Sequence, residues 1–308
     1  MKKRQTGQYY TWRNPFDHVA FRSWAKLANL LNEIVLEPFA GSNSIIKMLR
    51  ELVLCKDFVS YDIQPKSKSV RFKDTLKSFP KGFRVAVSNP PYLAKNSAKR
   101  RGICFPQTTF DDLYKHALSI CLYNVQYLAV IIPASFLNSN LFLDRLSTYI
   151  ALPYKDMFTD TECPVCLALF EPKQREILIY EKEKYIGRFR DLMRYLPKKR
   201  REVKVRFNDK HGELGFVAID DNIKPSIRFF HGEEIESSRV KYSSRNITRI
   251  GLSQRVSHGL IEDLNGLVGT IREKTADVFL TPFKGVRKDG RFRRRMEFGF
   301  AKDILLAL

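Results

Sequence analysis

The chain has 308 residues, 44% apolar and 28% charged, which fits one large or two medium globular domains and excludes wholesale disorder. Lys and Arg number 54 against 33 Asp and Glu, a formal net charge of +21. An excess of that size favours a polyanionic partner, because each cation set on a phosphate releases a condensed counterion. No stretch approaches the roughly 18 apolar residues that span a bilayer, so no membrane partner is expected. Met1-Lys2-Lys3-Arg4 runs into polar Gln5 instead of a signal-peptide apolar core, and the five cysteines are odd in number and scattered. Both features point to a cytoplasmic protein in a reducing compartment.

Residues 17–31 place Val19, Phe21, Trp24, Leu27, Leu30 and Leu31 near a helical period. Ile34-Val35-Leu36 is a short apolar run ending in Glu37-Pro38. Residues 45–54 read as a helix, Phe58 to Tyr61 as a strand ending in Asp62, and Val85-Ala86-Val87 as a strand ending in Ser88-Asn89. Residues 111–123 again have helical spacing, and Tyr127 to Ile132 is a strand stopped by Pro133. Short buried strands alternating with helices predict an α/β fold, a Rossmann-like and mostly parallel sheet with helices on both faces. Ligands then bind at the carboxyl ends of the strands. Cys163-Pro164-Val165-Cys166 has no second pair at zinc spacing, so it reads as small core residues and no metal is expected.

Pro172 and the charged run Lys173 to Lys184 read as a linker, dividing the chain into domains 1–172 and 173–308. Beyond it, Val203, Val205 and Phe207 alternate with charged residues. After the turn residues Asn208 to Gly212, the segment Leu214 to Ile219 returns, a hairpin pattern. Residues 226–230 and 246–252 add short strands, so the smaller second domain reads as β-rich. It is also the more basic, with 31 Lys and Arg against 19 Asp and Glu, compared with 23 against 14 before it. Its end interleaves Lys284, Arg287, Lys288, Arg291, Arg293, Arg294 and Arg295 with Phe283, Phe292, Phe298 and Phe300, the composition of a nucleic-acid surface.

The most informative residues are Asn89-Pro90-Pro91-Tyr92, directly after a strand. The two prolines remove backbone donors and stiffen the turn. The Pro90 carbonyl and the Asn89 amide oxygen are two acceptors side by side, a match for the two hydrogens of an exocyclic NH₂ group. Two accepted hydrogen bonds raise lone-pair density on that nitrogen as positive charge develops, without a strong base. The Tyr92 ring offers a face for a planar base. Upstream, Glu37 stands at a strand end, Gly41 opens the following loop, and Asp62 ends the next strand, a spacing that suits a carboxylate accepting ribose hydroxyls. Asp74 follows at the next loop, placed for an adenine amino group.

With these residues in this order, positions 5–172 resemble the S-adenosylmethionine-dependent amino-methyltransferases of DNA, and among them the gamma-type adenine-N6 enzymes of type II restriction-modification systems. Gly7-Gln8-Tyr9-Tyr10-Thr11 resembles their N-terminal cofactor motif, Glu37-Pro38-Phe39-Ala40-Gly41 the first glycine-loop motif, Tyr61-Asp62-Ile63 the second and Asp74 the acid of the third. Asn89 to Tyr92 is similar to the catalytic motif, and Asp112-Leu113-Tyr114 and Val130 to Phe136 to the segments that follow it. The resemblance implies that S-adenosyl-L-methionine is held by Glu37, Asp62 and Asp74 and lined by Tyr10, Thr11, Pro38, Ala40, Gly41, Ile63 and Pro91. It implies that Asn89 and Pro90 bind the target amine and that Tyr92 and Phe158 sandwich the base. Asn43 stands where the family has a second glycine, and Asn tolerates the left-handed conformation.

An exocyclic amine inside a duplex is out of reach, so such an enzyme flips the nucleotide out. The resemblance therefore implies double-stranded DNA as partner, a C-terminal target-recognition domain, and a separately encoded restriction endonuclease as a companion. Lys99, Arg100 and Arg101, just past the catalytic loop, and Arg291, Arg293, Arg294 and Arg295 are the expected phosphate contacts. The rival readings are methylation of N4-cytosine, of an rRNA guanine or of a protein glutamine, and a catalytically silent nucleic-acid-binding protein.

Overall fold

A computed structural model describes residues 14–152, 164–173 and 176–308. The chain divides into two compact units, the first ending at Tyr185 and the second running Ile186–Leu308.

In the first unit the elements are α1 (Val19–Leu27), β1 (Val35–Glu37), α2 (Ser44–Glu51), β2 (Phe58–Asp62), β3 (Arg71–Phe72), β4 (Val85–Ser88), α3 (Lys95–Arg100), α4 (Leu113–Asn124), β5 (Tyr127–Pro133), β6 (Leu146–Leu152), β7 (Val165–Phe170) and β8 (Leu178–Glu181). The unit boundary falls inside β9 (Lys184–Arg188). One sheet takes the order β3-β2-β1-β4-β5-β7-β6-β8-β9. From β3 to β5 all pairs are parallel, the 3-2-1-4-5 order of a Rossmann sheet. β7 then runs antiparallel to both β5 and β6, and β6 is parallel to β8. The fold is therefore the expected Rossmann-like, mostly parallel α/β sheet.

The strands are short and wholly buried where they are central, which is why they read as apolar runs: β1 and β4 expose no residue. On one face Val35, Val85, Val87, Ala129 and Ile131 pack with Phe21 and Trp24 of α1 and with Ile45, Ile46 and Leu49 of α2. Each fully buried aromatic or aliphatic side chain there contributes about 1.5–3 kcal/mol. The indole N–H of Trp24 also donates to the Phe170 carbonyl at 3.1 Å, pinning α1 to β7. Leu36, Ala86, Leu128, Val130 and Ile132 are buried too but lie outside that cluster. α4, whose Tyr114, Ala117, Leu118 and Cys121 are buried, also lies outside it and belongs to the opposite face. α4 starts where Asp112 accepts from the Tyr114 N–H at 3.3 Å.

The run Lys173 to Lys184 is not a linker. It contains β8, in which Ile179 and Glu181 are buried against β6 while Leu178 and Tyr180 are half-buried. Leu178-Ile179-Tyr180 is a short apolar run among charges, and the buried Glu181 breaks any apolar–polar alternation that would have marked the strand.

The second unit holds α5 (Phe189–Leu192), β10 (Val205–Phe207), β11 (Leu214–Val217), β12 (Arg228–His231), β13 (Ile247–Leu252), α6 (His258–Thr275), β14 (Thr281–Val286), β15 (Phe292–Arg295) and α7 (Phe298–Leu305). Four strands form an antiparallel sheet in the order β10-β13-β11-β12, and β14 pairs with β15. The region is β-rich, as expected. The expected hairpin of Val203–Phe207 with Leu214–Ile219 does not form, because β13 lies between the two strands and pairs with both. Two glycines permit this. A side chain at Gly212 would meet the Ile250 backbone, and one at Gly251 would meet the Asp209 carboxylate.

The core of this unit gathers Phe216, Phe229, Ile250, Leu264, Val268 and Ile304. At its edge Asp220, fully buried, accepts from Arg272 at 2.8 Å, Arg287 at 3.0 Å, the Ser226 N–H at 2.7 Å and the Arg294 N–H at 3.2 Å. Burial alone would raise the Asp220 carboxyl, but Arg272 and the two N–H groups outweigh it and hold it below the usual range. No helix among the described residues is long and apolar enough to cross a membrane.

Candidate active site

β3, β2, β1 and β4 lie side by side and parallel, so their carboxyl ends open on one edge of the sheet. In that order the edge presents Asp74, Asp62, Glu37 and Asn89, each at or just beyond its strand end. The expected cofactor residues Tyr10 and Thr11 and the expected base-stacking Phe158 lie outside the described residues.

Glu37 is fully buried. Its Oε1 accepts from the Ser88 hydroxyl at 2.5 Å and from the Phe39 N–H at 3.3 Å. Its Oε2 is buried with no partner among the described residues. Burial pushes its pKa up to about 8, against the opposing pull of the Ser88 and Phe39 hydrogen bonds. At neutral pH the group is therefore mostly a neutral acid. Ser88 directly precedes Asn89, so this bond ties the loop after β1 to the candidate catalytic loop after β4.

The loop from Pro38 to Asn43 is held by its neighbours. Gly41 has φ +51°, and a Cβ placed there would meet nothing within 4 Å, so this flank is open for a ligand. The Gly41 N–H donates to Asp62 Oδ2 at 2.7 Å, and the Gln64 N–H donates to Asp62 Oδ1 at 2.7 Å. Asp62 thus fixes the loop with one oxygen and its own following turn with the other, a duty its spacing alone did not reveal, and Ile63 beside it is exposed. Asp74 sits in a turn beside Lys77, 3.5 Å away, and the next residue, Thr75, donates to the Pro38 carbonyl at 2.8 Å. The third acidic position is therefore laced to the first loop.

Asn43 has φ +65°, the left-handed conformation expected of the residue replacing a glycine. It does more than tolerate the turn. Its side chain accepts from the Ser60 hydroxyl at 2.8 Å and donates to Ser69 at 3.0 Å, joining the loop to β2. Asn43→Ala is expected to destabilise the first unit by about 2–4 kcal/mol, from left-handed strain plus an orphaned buried Ser60. Asn43→Gly keeps the turn and loses only the hydrogen bonds, so its urea midpoint should fall between those of wild type and Asn43→Ala. Equal midpoints for Ala and Gly would show that the conformation carries no strain.

In the candidate catalytic loop Asn89 and Tyr92 are half-buried, Pro90 is buried and Pro91 is exposed. Among the described residues no group donates to the Pro90 carbonyl. The Tyr92 hydroxyl lies 2.5 Å from the Asn89 side-chain oxygen and 2.7 Å from the Ile131 carbonyl, and its ring meets Tyr114 edge-on. Asp112 closes the loop, accepting from the Leu93 N–H at 3.1 Å while capping α4. Sequence reasoning missed Ser88 and Thr75, and it gave Asn43 and Asp112 no hydrogen-bonding duty. All four tie the loops of this edge together through hydrogen bonds.

Lys99, Arg100 and Arg101 are exposed at the end of α3. Arg291 is exposed, but Arg294 is buried, Arg293 donates to the Asp220 carbonyl at 2.6 Å, and Arg295 pairs with Glu297 at 3.1 Å. The terminal cationic run is thus not one continuous exposed surface, because β15 turns alternate side chains inward and Asp220 collects the hairpin. A different exposed basic segment precedes β10: Lys198, Lys199, Arg200, Arg201 and Lys204, with Arg206 on the strand.

No family model matches the chain, and no curated protein matches it. Solved structures do. A chain of a type I restriction-modification system is similar at 17% identity over 56% of this chain and 44% of its own, with a TM-score of 0.39. A protein from Listeria monocytogenes, proposed to be a class I S-adenosylmethionine-dependent methyltransferase, is similar at 14% identity over 55% of this chain and 65% of its own, with a TM-score of 0.40. The M protein of the type I restriction enzyme EcoKI is similar at 15% identity over 88% of this chain and 72% of its own, with a TM-score of 0.38. The chain spans under half the length of the first of these and about two thirds that of the second.

Proposed function

We propose that this protein transfers a methyl group from S-adenosyl-L-methionine to the N6 amine of an adenine flipped out of double-stranded DNA, as the modification enzyme of a restriction-modification system. The observation that carries the reading is the row of Asp74, Asp62, Glu37 and Asn89 along one sheet edge, with the Pro90 carbonyl beside Asn89. The residues fit the cofactor: a glycine flank open for 4 Å, and a buried carboxyl oxygen with no partner among the described residues. Glu37, Asp62 and Asp74 would hold it, with Pro38, Ala40, Gly41, Ile63 and Pro91 around it, and with Tyr10 and Thr11 from the N-terminal motif. Bound S-adenosylmethionine supplies a methyl group on a positively charged sulfur. Asn89 and the Pro90 carbonyl accept the two hydrogens of the target amine and keep its lone pair free for that carbon. Tyr92 and Phe158 would flank the base. The test is to sequence DNA from a methylation-free host expressing this chain, with modified bases and their context determined. Modified adenine at one fixed sequence supports the reading. Modified cytosine, or methylated glutamine or rRNA with unmodified DNA, moves the chemistry to another substrate.

DNA contacts are assigned to the exposed cations, Lys99, Arg100, Arg101 and Arg291, together with the segment Lys198–Arg206. Replacing Arg200, Arg201 and Lys204 with Ala should reduce the slope of log affinity against log salt by about 2–3, close to 0.9 per lost phosphate contact. A filter-binding series across salt concentrations reads this directly. An unchanged slope would remove the segment from the interface.

A further inference from the structure

The Tyr92 hydroxyl has one proton and, among the described residues, meets two oxygens: the Ile131 carbonyl at 2.7 Å and the Asn89 side-chain oxygen at 2.5 Å. It cannot donate to both. A backbone carbonyl can only accept, so the Ile131 contact requires the phenol proton. Ile131 lies one residue beyond the last β4–β5 pair, Ser88 with Val130, where the strand that would have neighboured it has ended. Asn89 must then meet the phenol oxygen with a donor. The ends of a carboxamide are told apart only by their hydrogen bonds, and half a turn about its last torsion puts the NH₂ group against Tyr92.

We infer that Tyr92 is a positioning residue: its hydroxyl donates to Ile131, accepts from the Asn89 NH₂, and so turns the Asn89 oxygen away from the core as an acceptor. This rests on the methyltransferase reading and deepens it. A freely rotating carboxamide would present its NH₂ to the target amine half the time, donor against donor. The relay from Ile131 through Tyr92 selects the accepting face before substrate arrives, so less reorganisation is left for the reaction. The duty belongs to the hydroxyl and is separate from any stacking by the ring.

Tyr92→Phe keeps the ring and deletes the relay. On duplex substrate its kcat should fall on the order of tenfold to hundredfold, as for a misaligned reacting group. KM for DNA and for S-adenosylmethionine should stay within about threefold, since ring and pocket remain. In ¹⁵N-labelled protein the Asn89 NH₂ signals, assigned by their loss in Asn89→Asp, should include one displaced and exchange-protected proton in the wild type. In Tyr92→Phe they should move to the positions of a solvated carboxamide. An unchanged kcat, or Asn89 signals identical in the two proteins, overturns the assignment. The spectroscopic arm needs no turnover. If the wild type methylates no duplex adenine, the reading of function falls and the Asn89 signals alone decide the role of Tyr92.

Discussion

Asn89→Ala is expected to lower methyl transfer by about a hundredfold or more, roughly 3 kcal/mol, while S-adenosylmethionine binds within a few fold of wild type. On the proposed chemistry the loss falls in the chemical step, because the two acceptors would act on the amine as its nitrogen gains positive charge. An acceptor near a cationic transition state is worth more than the same contact with a neutral ground state. Cofactor binding survives because, among the described residues, the Asn89 side chain makes no hydrogen bond to the loop after β1, its partner being Tyr92. The link to that loop passes through Ser88 to Glu37. Single-turnover kinetics with calorimetry on the same protein checks both halves. Wild-type turnover would remove Asn89 from the reacting centre, and lost cofactor affinity would move it into the cofactor pocket.

Glu37 gives the second large effect, one of pH. The carboxyl titrates near 4.5 in the unfolded chain and at about 8 in the folded protein, because burial disfavours its charge. Below both values it is protonated in either state. Between them the folded state keeps a proton that the unfolded state has lost, so stability falls as pH rises from about 4.5 to 8, by about 4 kcal/mol in all. Glu37→Gln keeps the acceptor for Ser88 and Phe39 and has nothing to titrate. The difference in unfolding free energy between wild type and Glu37→Gln should therefore move steadily in favour of the variant from pH 5 to pH 8. Urea unfolding of the pair at four pH values measures it. A difference independent of pH would mean that Glu37 is ionised in the fold.

The first unit was legible because its signals are local. Buried parallel strands are short apolar runs, and each ends on a residue that cannot continue a strand: Glu37 before Pro38, Asp62, and Asn89 before Pro90. The left-handed Asn43 was also readable from a single side chain. What was not legible depends on partners far apart in sequence. The carboxylate of Asp62 is engaged by Gly41 from 21 residues away, and Ser88 reaches Glu37 across 51 residues. The second unit hid more. β13 enters between β10 and β11, which no local pattern announces. α6 went unread although Ile261, Leu264, Val268, Ile271 and Thr275 repeat at helical spacing, because Gly259, Gly266 and Gly269 depress helix propensity along it. Arginine counted as surface charge was in part internal, since a charge count does not distinguish a cation facing solvent from one facing Asp220.

The Asp220 hub also bears on how the protein can be handled. At 1 M salt the screening length is about 3 Å, which strips phosphates from exposed lysines and arginines. Asp220 and Arg287 sit where mobile ions do not enter, with side chains 0% and 2% exposed. A concentrated salt wash during purification should therefore release carried-over nucleic acid while leaving the β14–β15 hairpin fastened to its unit. The same contrast distinguishes two populations of arginine in one chain, those that brine disarms and those that serve as rivets.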